Sequence, residues 1–174
     1  TKAYLYLDPA RLLTNASYMW QPDFGFGTVM HQNIGYLWPI GPFFTIGELS
    51  GLSDWVVQRL WLGSILLVAG LGVRWFLKTL SWVGPGVLVA SLSYMLSPYI
   101  LNYIDRHSVI LLPWAALPWL LGLSERSLKT KSWYYPALFG LLTLTIGGVN
   151  ASSLLFVGLG PFIWHIWAGL NRFS

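Results

Sequence analysis

The stretch SWYYPALFGLLTLTIGGVNASSLLFVGLGPFIWHIWAGLN, residues 132–171, runs for forty residues without a charged side chain. As one straight helix it would be about 60 Å long, twice the thickness of the hydrocarbon core of a bilayer. This length implies a hairpin, and Gly-Gly-Val-Asn at 147–150 is the plausible turn inside it. The sequence therefore predicts two helices, near 133–146 and 151–169, with the first one short for a full crossing.

Three further apolar stretches have the composition of membrane spans. They lie near 56–77, 82–104 and 108–124. Arg59 and Arg74 stand close to the two ends of the first, where long side chains reach the interface. Pro113 and Pro118 predict that the third is kinked, or packed against neighbours that satisfy the carbonyls freed by proline. The fold predicted is an all-α polytopic membrane protein with about five spans.

The composition excludes a water-soluble domain. Charged residues make up 9% of the 174 residues and hydrophobic residues 55%, whereas soluble domains carry about 25% charged residues. Eleven Trp and nine Tyr are typical of chains that cross the two headgroup layers. The absence of Cys excludes disulfides and thiolate chemistry, and the scattered basic residues argue against a nucleic-acid partner.

The charges divide between two sides of the predicted bundle. One set of connections carries a single acid, Glu125, and six basic residues: Arg74, Lys78, Arg126, Lys129, Lys131 and Arg172. The positive-inside rule makes that set cytoplasmic. Residues 1–55, the loop 105–107 and the turn at Asn150 then face outward from the plasma membrane, and the C-terminal end is cytoplasmic. We expect a further helix to precede Thr1.

Residues 1–55 form the predicted extracytoplasmic loop, and residues 56–174 form the transmembrane region. The loop mixes aromatic residues with Gly and Pro and has few charges, which predicts interfacial helices at the membrane surface. Residues 37–49 could form one of them, although Pro39, Gly41 and Pro42 weaken the pattern. Long ordered loops of this kind are usually functional.

A series of short motifs runs through the whole chain. They are Asp8-Pro9, Trp20-Gln21-Pro22, Gly35-Tyr36-Leu37-Trp38-Pro39, Trp55-Val56-Val57-Gln58-Arg59-Leu60-Trp61, Tyr94-Met95-Leu96-Ser97-Pro98, Leu112-Pro113-Trp114 and Gly147-Gly148-Val149-Asn150-Ala151. Their order resembles that in the actinobacterial alpha-(1→3)-arabinofuranosyltransferases of the AftD type, which are similar to GT-C glycosyltransferases. The resemblance implies a GT-C-like helix bundle, here as a fragment without the later helices and the large C-terminal region of the family.

The same resemblance implies an activity on the outer face of the membrane. Arabinofuranose would be transferred from a polyprenyl-phosphate donor, decaprenylphosphoryl arabinose, to cell-wall arabinan. The implied partners are this donor, the arabinan or another glycan acceptor, the lipid bilayer and possible further subunits, and no cofactor is expected. The acceptor and the linkage stay open, because the regions that recognise the acceptor lie elsewhere in the family.

Asp8 is the candidate catalytic residue. Sugar transfer needs a base for the acceptor hydroxyl, and the resemblance places an acidic residue in the loop that follows the first membrane helix. The alternative is that Asp8 caps a helix that begins at Pro9, and the two roles are compatible. An acid upstream of Thr1 would be a better candidate, and Asp23 is a weaker one because its surroundings are typical of a turn.

Arg59, Arg106 and His107 are candidates for the donor phosphate, since all three are predicted on the outward side. A charge about one turn inside a membrane helix, as at Arg59, indicates function. The alternative is that the Arg59 side chain reaches the membrane interface, beside Asp54 or Glu48. The alternative for Arg106 and His107 is a polar connection between helices.

His31, Gln32, Asn33 and Asn150 are candidates for binding sugar hydroxyls of the donor or acceptor. A single histidine is more often structural, and Asn150 is more often a turn residue. The spacing of acids and histidines predicts no metal site.

Two other classes of function stay open. A GT-C-like bundle could serve as a non-catalytic subunit or scaffold of a larger membrane complex. A transporter would need paired half-helices from inverted repeats, and the single Gly147-Gly148 break makes this class the weakest.

Overall fold

The computed structural model describes residues 8–22, 25–29, 35–103, 110–130, 132–147 and 151–172. In these residues it contains eight helices and one antiparallel strand pair. The elements are α1 (Pro9–Ala16), β1 (Trp20–Gln21), β2 (Thr28–Val29), α2 (Ile40–Leu49), α3 (Asp54–Thr79), α4 (Pro85–Met95), α5 (Pro98–Tyr103), α6 (Leu111–Lys129), α7 (Tyr134–Gly147) and α8 (Ala151–Arg172).

Two of the described helices have the length and composition for a membrane crossing: α3, and α8 over residues Leu154–Asn171. Helix α3 begins after Ser53 and carries Asp54 in its first turn and Lys78 in its last. Both charges have the sign that the helix dipole favours at their end. The other apolar helices are shorter or carry more charge, so α3 is the longest straight element of the bundle.

The contact between α3 and α6 is the centre of the fold. The ring of Trp119 from α6 lies against Gly72 of α3, and the ring of Trp75 from α3 lies against Gly122 of α6. The two rings stack with their centroids 5.3 Å apart. Small residues allow close approach of helices where no hydrophobic effect drives them together, so this exchange of rings and glycines sets the separation of α3 and α6.

Pro118 lies inside α6 and cannot donate a hydrogen bond to the Trp114 carbonyl four residues earlier. The Tyr94 hydroxyl from α4 donates to that carbonyl at 2.8 Å. The rings of Tyr94 and Trp114 also stack, with centroids 4.6 Å apart. The prediction that a neighbour satisfies a carbonyl freed by proline is therefore confirmed at this position.

The stretch expected as one span near 82–104 contains two helices, α4 and α5, with a break at Leu96 and Ser97. Pro98 explains the break, because a residue that precedes proline is pushed out of the helical region. Helix α6 lies further along the chain than the predicted span 108–124, and it reaches Lys129.

The N-terminal segment contains a feature that its sequence does not predict. Strands β1 and β2 pair with Trp20 opposite Val29 and Gln21 opposite Thr28. The connection contains Gly27 with a positive φ of 92°, a conformation that glycine adopts without steric cost. In α2, Pro42 falls in the first turn, where a missing N–H breaks no helical bond.

We expect Gly72→Ala to destabilise the bundle by about 1–3 kcal/mol, the usual cost of overpacking. A Cβ at Gly72 would lie 2.5 Å from Nε1 of Trp119, whereas a Cβ at Gly63 in the same helix meets nothing within 4 Å. Gly63→Ala is therefore the matched control, with the same gain in helix propensity. Unfolding of the full-length protein in detergent micelles measures the stability of both variants. Equal stabilities of Gly72→Ala and Gly63→Ala would contradict the close contact of the Trp119 ring with Gly72.

We expect Tyr94→Phe to cost about 0.6–1.7 kcal/mol, the range for hydrogen bonds between membrane helices. Tyr99→Phe is the control, since the Tyr99 ring also stacks on Trp114 and only the hydroxyl is removed. In a Pro118→Ala background the backbone N–H at position 118 is restored, and the cost of Tyr94→Phe should fall. Unfolding in detergent micelles measures the stability of each variant. If Tyr94→Phe costs as much in the Pro118→Ala background as in the unsubstituted protein, the Tyr94 hydroxyl does not replace the hydrogen bond that Pro118 lacks.

Candidate functional site

One end of the bundle, which we call the aromatic end, gathers several distant segments. Its buried cluster contains Tyr36, Ile40, Phe44, Val57, Trp61, Ile65, Ala69, Ile100, Leu111, Trp114 and Ala115. These residues come from the segment before α3, the first half of α3, α5 and the start of α6. The cluster thus holds the N-terminal segment against the helix ends that flank residues 104–109.

Asp8 stands at the start of α1, and its side chain is exposed. Its Oδ1 accepts a hydrogen bond from the backbone N–H of Arg11 at 2.8 Å, and Pro9 occupies the first helical position. The helix-cap interpretation of Asp8 is confirmed. Helix α1 packs on α2, where Leu13 lies against Gly41, so Asp8 stands at the start of a helix that is held at the aromatic end.

Arg59 lies in the second turn of α3, on a different side of the helix from the buried core. Val57 and Trp61 face the aromatic cluster, and Arg59 follows Val57 by two residues, which is about 200° around the helix axis. Its guanidinium lies 4.8 Å from the ring centroid of Trp55 and donates to the Trp55 carbonyl at 3.4 Å. The side chain is exposed and folds back along its own helix.

The remaining predicted site residues lie outside the described residues. They are Arg106, His107, His31, Gln32, Asn33 and Asn150. The helix ends nearest to them are nevertheless placed. Ile100 of α5 and Leu111 of α6 both belong to the aromatic cluster, and these two helices flank residues 104–109, which include Arg106 and His107.

The connection between α7 and α8 is tied to the same end of the bundle. Nε1 of Trp38 donates to Oγ1 of Thr145 near the end of α7, at 3.4 Å. Helix α7 ends at Gly147 and α8 begins at Ala151, so the connection that holds Asn150 leaves from beside the N-terminal segment. The structure therefore places the helix ends on both sides of residues 104–109, and the end of α7, beside the N-terminal segment.

The opposite end, which we call the basic end, carries Arg74, Lys78, Arg126 and Lys129. Nζ of Lys129 binds Oε1 of Glu125 at 2.7 Å and the Thr79 carbonyl at 3.2 Å, which joins the C-terminal ends of α3 and α6. Glu125 also accepts a hydrogen bond from Nε1 of Trp164 in α8, at 3.0 Å. The single acid of this end is therefore used to join α6 and α8.

Sequence reasoning missed a cavity of about 570 Å³ between α3, α6 and α7. Trp75, Trp119 and Arg126 are among the residues that line it. Arg126 offered a signal, because it is the first base after a long uncharged stretch, but the stacking of the two tryptophans depends on two helices. Among the described residues no group of three or more His, Asp or Glu is arranged to hold a metal ion.

The fold and the helix composition define a helical membrane protein, and the comparisons with known proteins give its family. The family described as Alpha-(1->3)-arabinofuranosyltransferase, N-terminal GT-C domain, matches residues 1–173. The chain belongs to this family.

Two relatives are similar over nearly the whole chain. The Alpha-(1->3)-arabinofuranosyltransferase of Mycobacterium tuberculosis is 36% identical over 97% of the chain. The protein of the same name from Mycolicibacterium smegmatis is 35% identical over 97%. The chain spans 12% of the length of each relative.

Solved structures show the same arrangement of helices. The cryo-EM structure of the arabinofuranosyltransferase AftD from mycobacteria superimposes with a TM-score of 0.87 and 29% identity, and it covers 94% of this chain and 13% of that one. A mutant of that protein gives a TM-score of 0.83 over 90% of this chain and 13% of its own. The architecture described above is therefore the family's architecture in this region.

Proposed function

We propose that this chain is the N-terminal membrane part of a GT-C-type glycosyltransferase. The enzyme transfers arabinofuranose from a polyprenyl-phosphate donor to cell-wall arabinan at the outer face of the membrane. The observation that carries the proposal is the family match over residues 1–173. It is supported by Asp8, an exposed carboxylate at the start of α1, which packs on α2.

In the proposed reaction Asp8 takes the proton of the acceptor hydroxyl as that oxygen bonds to C1 of the arabinose. The bond between C1 and the phosphate oxygen breaks, and the polyprenyl phosphate leaves with the bonding electrons. Only Oδ1 of Asp8 takes part in the cap bond, so the second carboxylate oxygen is available for the proton. One carboxylate can thereby hold the start of α1 and act as general base.

The leaving phosphate needs cations, and we assign this role to Arg59, Arg106 and His107. Arg59 would have to leave its position over Trp55. An exposed cation–π contact contributes about 0.5–1 kcal/mol, so a doubly charged phosphate outweighs it. We further propose that His31, Gln32, Asn33 and Asn150 bind the sugar hydroxyls.

The proposed topology has five crossings, near 56–77, 82–104, 108–124, 133–146 and 151–169. The basic end is cytoplasmic, and the aromatic end with the segment 1–55 faces outward. The separation of charge supports this orientation, since Arg74, Lys78, Arg126 and Lys129 lie at one end and cytoplasmic loops are rich in Lys and Arg.

The orientation can be tested by cysteine labelling, because these 174 residues contain no Cys. Ser17→Cys and Ser132→Cys place single thiols at exposed positions at opposite ends, in full-length protein without other cysteines. A membrane-impermeant maleimide on intact cells should modify the first variant, and the second only after permeabilisation. The opposite pattern would reverse the orientation and exclude an outward-facing Asp8.

Asp8→Asn and Asp8→Ala separate catalysis from capping. Asparagine caps a helix about as well as aspartate but cannot accept a proton at neutral pH. We therefore expect Asp8→Asn to keep the stability of the full-length enzyme and to lower transfer from the lipid donor by 10²–10⁴-fold, roughly the contribution of a general base. Asp8→Ala should in addition lose about 1 kcal/mol of stability.

A second candidate is favoured by the cap bond of Asp8 and the folded-back Arg59. In it the bundle is a non-catalytic GT-C-like scaffold that holds other parts of the complex in the membrane. Full transfer activity in Asp8→Asn, together with reduced stability in Asp8→Ala, would select this candidate over the catalytic one.

A further inference from the structure

The cavity between α3, α6 and α7 has the shape of a groove along the bundle. The stacked rings of Trp75 and Trp119 form part of its wall, and Leu138 and Leu141 of α7 lie along it. Its volume of about 570 Å³ falls in the range of small-molecule sites. It follows α7 from Tyr134 to Thr145, which is eleven steps of the helical rise, or about 17 Å.

The polar atoms along this groove are already hydrogen-bonded within the protein. Nε1 of Trp119 donates to the Val68 carbonyl at 2.9 Å. Oγ1 of Thr145 donates to the Leu141 carbonyl at 2.9 Å and accepts from Trp38. Between its two ends the groove therefore offers an occupant only apolar and aromatic surface.

One end of the groove is cationic. Arg126 lines it, and in the described part of the chain the only ion pair at this end joins Lys129 to Glu125. Glu125 is also bound by Trp164, and consecutive residues on a helix do not face each other. Tyr134 and Tyr135, at the start of α7, also line the groove, and tyrosines favour the headgroup level of a bilayer.

We propose that this groove binds one acyl chain of an anionic glycerophospholipid, with its phosphate on the Arg126 guanidinium. The groove runs for about 17 Å, from the two tyrosines at the basic end to Thr145, a length that one extended acyl chain can occupy. The guanidinium then meets the phosphate with two parallel hydrogen bonds. The proposal rests on the proposed position of the bundle across the bilayer, and not on the transfer reaction.

This lipid is distinct from the polyprenyl-phosphate donor. Helices α3 and α6 run in the same direction, as the contact of Lys129 with the Thr79 carbonyl requires. Arg126 is near the C-terminal end of α6, whereas α1, which begins after Asp8, packs on α2 and on the aromatic cluster through Leu12. A phosphate bound by Arg126 therefore lies in the leaflet opposite the proposed catalytic carboxylate.

The test is native mass spectrometry of the delipidated full-length protein with added phosphatidylglycerol or phosphatidylcholine. Both lipids carry a phosphodiester, but the choline cation of phosphatidylcholine opposes the Arg126 guanidinium, so phosphatidylglycerol should bind about tenfold more tightly. Arg126→Gln should remove most of this preference. Arg74→Gln, at an exposed base on α3 that does not line the groove, is the charge-matched control and should keep it.

A second pair of variants tests the groove itself. Leu141→Trp fills it, whereas Leu144→Trp adds the same ring to an exposed position of α7 that does not line it. We expect binding of both lipids to fall only in Leu141→Trp. Three results would overturn the proposal. The unsubstituted protein could bind the two lipids equally, or the two variants of either pair could have equal effects. A structure of the full-length protein could also show one of its own helices seated in the groove.

Discussion

The structure depends on two tryptophan rings that lie against two glycines. Trp119 covers Gly72 and Trp75 covers Gly122, so each helix supplies both a ring and the gap for a ring. In a bilayer, packing of this kind replaces the hydrophobic effect as the source of helix association. The other elements attach to this pair: α2 and α4 pack on α3, and α7 and α8 pack on α6. The positions of both ends of the bundle follow from it.

The hydrocarbon of the bilayer also explains the roles of the few polar contacts in the bundle. A carbonyl without a donor is costly in hydrocarbon, and Pro118 creates one at Trp114, which Tyr94 satisfies. At the basic end, the lone acid Glu125 binds Lys129 and Trp164. Tyr94 thus joins α4 to α6, and Glu125 joins α6 to α8.

The candidate active site combines structural and chemical duties in the same side chains. Asp8 caps α1 and is the proposed base, while Arg59 rests on Trp55 and is a proposed ligand of the donor phosphate. Both residues are exposed at the aromatic end, where the N-terminal segment, α5 and the start of α6 meet. The proposed lipid groove ends on the other side of the bundle, so the two phosphate sites would serve different leaflets.

The sequence alone determined that the chain lies in a bilayer, that it is helical and which family it resembles. The scarcity of charge and the order of the short motifs, on which these conclusions depend, are properties of the chain itself. It also predicted the Asp8 cap and the need for a donor near Pro118, which are local consequences of residue chemistry. It could not predict the strand pair at Trp20 and Val29 or the identity of Tyr94 as that donor. Those contacts join residues from separate elements, and only tertiary packing decides which element lies beside which. The groove at Arg126 is of the same kind, since it exists only where α3, α6 and α7 meet.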